Sequence, residues 1–153
     1  DDINDFFINQ LKGFKDVIDD ITGTMNGTGW IISGFSLLVG GFGIANIMFV
    51  SVKERTNLIA IQKSLGAKNK FILFQFLFEA VILSLIGGLI GLILVFIVSV
   101  IASSFSGDFN FVLSPWNMFL GTAISAIIGL ISGIIPAISA SKLDPVEAIR
   151  TGQ

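Results

Sequence analysis

The chain has 153 residues, of which 53% are hydrophobic and only 13% charged, with a net charge of −2. Soluble domains carry about 25% charged residues, so this is membrane composition, and the small net charge with basic residues clustered in one loop argues against a nucleic-acid binder. Cys, His and Tyr are absent, which excludes disulfides and thiolate metal sites and removes the commonest general base. We expect no catalytic, metal or cofactor residues in it.

Residues 1–29 place Ile3, Phe7, Leu11, Phe14, Ile18 and Ile21 at spacings of 4, 4, 3, 4 and 3. That is one apolar stripe on an amphipathic helix. Its other faces are rich in Asp rather than Lys or Arg, which favours packing on a missing soluble domain over lying on lipid. The small polar cluster at 22–29 predicts a hinge or loop. The charge pattern of the later basic loop places this end outside, and a segment with six Asp does not usually cross a membrane unaided, so we expect a longer parent polypeptide.

Residues 30–52 form the first predicted span, free of charge and opened by Trp30 as an interfacial anchor. Residues 53–70 follow as a basic loop, carrying Lys53, Arg55, Lys63, Lys68 and Lys70 against Glu54 alone. Basic charge in a short loop between spans sets that loop on the cytoplasmic side. Within it, residues 56–65 read as a short helix with Leu58, Ile59, Ile61 and Leu65 apolar. Gly66 should end this helix as its C′ residue, and Asn69 should cap the next one. The unadorned alternative is a positive-inside loop on anionic lipid.

Residues 71–105 exceed one bilayer crossing, with the membrane core expected at 81–101. Gln75 and Glu79 then fall near the cytoplasmic boundary. Glu79 is the one ionisable residue in an apolar run, and Gln75, one turn earlier, could hydrogen-bond it. Proton relay is one reading of Glu79; a boundary carboxylate near Lys68 and Lys70 is the plainer one. Residues 106–116 make the outer loop, closed by Trp116, and 117–140 the third span. Gly121, Ser125, Gly129, Gly133 and Ala137 recur every four residues there, a stripe that lets two helices approach closely. It suits a moving interface or static packing. The tail, 141–153, should hold a second short helix, with Asp144 as N-cap, Pro145 at the first position and Glu147 at the third.

Five segments carry a family resemblance: Asn46-Ile-Met-Phe-Val-Ser-Val-Lys-Glu-Arg-Thr56, Ser64-Leu-Gly-Ala67, Gln75-Phe-Leu-Phe-Glu-Ala80, Gly87-Gly-Leu-Ile-Gly91 and Leu143-Asp-Pro-Val-Glu-Ala-Ile149. In this order they resemble the C-terminal half of MacB/FtsX-type ABC transporter permeases, nearer the MacB branch, from about residue 36 to residue 150. The chain departs from the family at Asn57-Leu-Ile-Ala60, where a second acid and an Ile-Gly pair are usual, and in having Lys where Arg is frequent.

The resemblance implies an all-α integral membrane fold: three transmembrane helices after an extracytoplasmic stalk helix (1–29), with short cytoplasmic coupling helices. It implies a bacterial inner-membrane permease that passes ATP-driven motion to an extracytoplasmic domain, for export or efflux. ATP and Mg would be bound by a partner ATPase, because no G-x-x-x-x-G-K-[ST] pattern occurs here. The ATPase would be met by Glu54, Arg55, Thr56, Leu58, Ile59, Leu65, Gly66, Ala67, Asp144, Pro145 and Glu147. Further partners implied are a second permease copy, a missing N-terminal span with an extracytoplasmic domain, a membrane-fusion adaptor and the lipid bilayer. The alternative is an FtsX-like signalling permease that activates an external cell-wall enzyme without moving cargo.

Overall fold

A computed structural model describes residues 2–106 and 114–150. The described residues form five helices: α1 (Asp2–Glu54), α2 (Thr56–Ser64), α3 (Asn69–Ser106), α4 (Pro115–Ser141) and α5 (Pro145–Arg150). No strand occurs among them. Helices α1, α3 and α4 are each long and apolar enough to cross a membrane. Along α3 the side chains of Leu89, Ile90, Ile93, Leu94, Val95 and Phe96 are all exposed. An apolar surface on every side of a helix suits lipid, which satisfies it without a protein partner.

The chain divides into two units, Asp1–Val39 and Gly40–Gln153. In the first, the described residues are helical throughout, and the apolar stripe from Ile3 to Ile21 is exposed. The hinge expected at 22–29 is not there, because α1 runs through it. Thr24 and Thr28 donate their hydroxyls to the Asp20 and Thr24 carbonyls, each four residues back. This back-bonding satisfies residues that would otherwise compete with the helix. The three glycines 23, 27 and 29 lower helix propensity by roughly 1 kcal/mol each without breaking the ladder.

The second unit is organised around α3 and α4, which pair antiparallel. Contacts step in opposite directions along the two helices. Gly133 lies against Ala80 and Leu77, Gly129 against Ser84, Gly88 against Ser125, and Gly121 against Leu92. A small residue stands on both sides at the first three of these four steps. The backbones therefore come close enough for Ser84 to donate its hydroxyl directly to the Ser125 carbonyl. A Cβ added at Gly129 would meet Ser84 Cβ at 2.6 Å and the Ala80 carbonyl oxygen at 3.0 Å. On the neighbouring face of α4, Ile128 and Ser132 lie against Gly41 of α1. Pro136 is buried inside α4, where neighbouring helices can compensate for its missing N–H.

The core lies at one end of this unit. Met48 and Val52 of α1, Ile59 of α2, Ile72, Phe76 and Ala80 of α3, and Ala137 and Ala140 of α4 form a single buried cluster. Several expected boundaries move. Pro115 and Trp116 belong to α4 rather than to a loop, since Pro is pre-organised for the first helical position. Trp116 stacks on Phe119 with ring centroids 5.9 Å apart. Residues 107–113 of the expected outer loop, and 151–153 of the tail, lie outside the described residues. Asn69 is the first residue of α3 rather than its cap, because the Lys68 carbonyl accepts the Phe71 and Ile72 amides.

Candidate functional site

The end of the second unit that holds the core also carries α2, α5 and the basic residues of the 53–70 segment. Between α1 and α2 the chain turns at Arg55, with φ −98° and ψ 14°. The Thr56 hydroxyl is shared between the Val52 and Lys53 carbonyls, at 3.0 and 2.8 Å, and so covers acceptors at the break. Helix α2 then buries Ile59 and Ala60 in the core. It stops where the sequence places a stop. Gly66 has φ +97°, its amide donates to the Lys63 carbonyl, and the Ala67 amide donates to the Gln62 carbonyl at 3.0 Å. These two bonds are a Schellman closure, and its left-handed residue is a glycine because other residues are strained there.

Two polar ties fix α2. At its start, Arg55 Nη1 lies 3.2 Å from Glu79 Oε2 of α3, with the two side chains 48% and 29% exposed. Glu79 is thus paired with Arg55, not with the lysines or with Gln75. The Gln75 Oε1 atom is buried without a hydrogen-bond partner, and a guanidinium reaching across from the α1–α2 turn offers a charged donor that an amide cannot match. Arg55, expected among the residues that meet a partner, is thus held within the chain by Glu79 while its side chain stays about half exposed.

At its other end, the Lys63 ammonium donates to the Ser141 carbonyl and, at 2.7 Å, to the Leu143 carbonyl. Those groups sit where α4 ends and α5 has not begun. Sequence reading counted Lys63 only among the basic residues that orient the loop. The signal was its position four residues after Ile59, on the face that turns inward. Helix α5 packs against α2. Asp144 accepts the Val146 amide at 3.0 Å as an N-cap, and Pro145 opens the helix.

The outward face of α2 also differs from expectation. Leu58, Ile61 and Leu65 are 54%, 56% and 84% exposed, whereas Ile59 is 1% exposed. Their spacing of three and four residues places them on one side of the helix. Ile59, expected to meet a partner, instead fills the protein's own core, and Ile61 takes its place in the exposed row. Glu54 is exposed at the end of α1, Ala67 packs on the core, and Val146 and Glu147 of α5 are exposed. Elsewhere, Gly129, Gly133 and Ala137 of the α4 stripe are buried, while Gly121 and Ser125 are partly so.

Three helices long and apolar enough to cross a membrane, with two short helices between and after them, define a helical membrane protein. The chain belongs to the FtsX-like permease family: residues 30–145 match its model, described as "FtsX-like permease C-terminal". Over 145 residues, 95% of this chain, it is 40% identical to "Macrolide export ATP-binding/permease protein MacB" of Agrobacterium fabrum. It is 41% identical, again over 95% of the chain, to the proteins of that name from Mannheimia succiniciproducens and Neisseria meningitidis serogroup A. The matched region is 22–23% of the length of these relatives, so the chain spans under a quarter of them.

Proposed function

We propose that this chain is the C-terminal three-span part of an ABC-type export permease in the bacterial cytoplasmic membrane. In this reading α2 and α5 face the cytosol and the beginning of α1 lies outside. An ATP-binding subunit or domain docks on α2 and α5, and its ATP-driven motion passes through the spans to extracytoplasmic parts. ATP and Mg are held by that ATP-binding part. A second permease copy, the remaining span with its extracytoplasmic domain, and an adaptor complete the machine. Export is favoured over signalling by the names of the relatives, which are macrolide export proteins joining an ATP-binding part to a permease.

The single observation that carries the reading is the double character of α2. Its inner face and both ends are tied to α3 and α4, while Leu58, Ile61 and Leu65 stand outward as an apolar row. Such a row, bordered by charges, has the make-up of a docking patch in which a few anchors dominate. The test replaces Leu58 and Leu65 together with Asp in the full-length protein. Insertion should persist and permease-dependent ATPase stimulation should vanish. Unchanged stimulation would show α2 to be only a basic loop on lipid.

A further inference from the structure

We propose that Lys63 is the positioning residue that carries displacement of α2 into α4 and α5. The proposal rests on the docking role of α2 given above, and it adds the atom through which the load passes. The buried contacts of Ile59 and Ala60 are apolar and non-directional, so they resist separation better than sliding. The Arg55–Glu79 pair is directional but joins the start of α2 to α3. Only the Lys63 ammonium, among the described residues, links the far end of α2 to the end of α4 by a charged hydrogen bond.

The acceptors at that end make the link specific. The last carbonyls of a helix have no partner within it and carry the negative end of its dipole. At the end of α4, the Ile138 carbonyl accepts the Lys142 amide and the Ser141 hydroxyl, and the Ala140 carbonyl accepts the Leu143 amide. The Ser141 and Leu143 carbonyls are taken by Lys63 instead. Leu143 is partly buried against the core, and Asp144, directly after it, caps α5. One ammonium therefore fixes where α4 stops and in which direction α5 starts.

The test uses the full-length protein, in a cysteine-free background, reconstituted in proteoliposomes. Spin labels on Asn57→Cys and Val146→Cys, both exposed positions, report the α2–α5 distance without nucleotide. Lys63→Met keeps the aliphatic stem and removes the donors, so the width of the distance distribution should grow about twofold as local restraint is lost. Lys63→Arg, which keeps cationic N–H donors, should restore the narrow distribution. Should Lys63→Met not accumulate, Lys63→Gln, with its shorter neutral amide, must widen the distribution instead. An unchanged width in the donor-deficient variant overturns the proposal, and so does equal widening in Lys63→Arg. The Leu58/Leu65 double variant, read for ATPase stimulation, separates the two ideas. If stimulation survives there while Lys63→Met widens the distances, docking on α2 fails and the Lys63 tie stands.

Discussion

Arg55 and Glu79, 24 residues apart in the chain, meet with Nη1 and Oε2 at 3.2 Å. Read separately, one looked like a cation for a partner and the other like a carboxylate stranded at the end of a span. Together they fasten the α1–α2 turn to α3. A carboxylate near hydrocarbon is expensive unless paired, and this pairing accounts for its place in α3 without a proton relay.

A double-mutant cycle of Arg55→Gln and Glu79→Gln measures the tie. With both side chains partly exposed, at 48% and 29%, the coupling should be at most about 1 kcal/mol. Thermal unfolding of the purified protein in detergent supplies the four stabilities. A coupling of several kcal/mol would mean that lipid, not water, surrounds the pair.

The contact between α3 and α4 predicts unequal costs for adding a single methyl group. Gly129→Ala should destabilise by about 1–3 kcal/mol, because overpacking must push Ser84 or the Ala80 backbone aside. Gly87→Ala meets nothing within 4 Å and should be neutral or slightly stabilising, since Ala is the better helix former. Gly129→Leu should be worse than Ile128→Leu for the same steric reason. Equal melting temperatures for Gly129→Ala and Gly87→Ala would remove the interlocking claimed here.

Gly66 separates conformational strain from crowding. At φ +97° it has open space around its Cβ position, so Gly66→Ala suffers only from the left-handed backbone. That penalty is roughly 1–2 kcal/mol. Gly66→Asn, which tolerates such angles better, should lose less. Hydrogen exchange of the amides in α2 would show both effects, and identical losses would argue that the turn relaxes.

What could be read from sequence divides along physical lines. The three apolar helices were visible because runs free of charge for about 20 residues have few other fates. The stop at Gly66 and the cap at Asp144 were visible because both depend on neighbours within a turn. Continuity of α1 through 22–29 was not, because small polar residues signal a loop in water, while Thr24 and Thr28 can turn their hydroxyls onto the helix. The two ties of α2 were hidden for a different reason. Arg55–Glu79 and Lys63–Leu143 bridge 24 and 80 residues, and no local pattern encodes which distant acceptor a cation will find. The choice between Ile59 and Ile61 had the same character. Both are Ile, two residues apart on opposite faces, and only the position of the core decides which one is covered.

Orientation is open to direct labelling. If basic loops stay inside, a cysteine at Lys70, which is exposed, should react only with reagent admitted to the cytosolic side. A cysteine at exposed Trp116, at the opposite end of the α3–α4 pair, should react from outside. The reverse pattern would invert the topology and detach α2 from any cytoplasmic ATPase.

The sharpest prediction sets Ile61 against Ile59. Both substitutions, Ile61→Asp and Ile59→Asp, place one carboxylate on α2, yet the neighbours differ entirely. Ile59 is 1% exposed among Met48, Ile72 and Phe76, and a charge buried there without a partner is costly. Ile59→Asp should therefore reduce the amount of folded protein, whatever α2 docks against. Ile61 is 56% exposed between Leu58 and Leu65, so Ile61→Asp should leave folding and melting temperature within about 0.5 kcal/mol of the parent. Its effect should appear only when the ATP-binding part is present, as lost permease-dependent ATPase stimulation. Restoring an apolar side chain with Ile61→Leu should restore that stimulation, because the patch needs bulk and apolarity rather than one shape. If Ile61→Asp instead stimulates like the parent protein, the exposed row on α2 faces lipid, and the docking surface must be sought elsewhere.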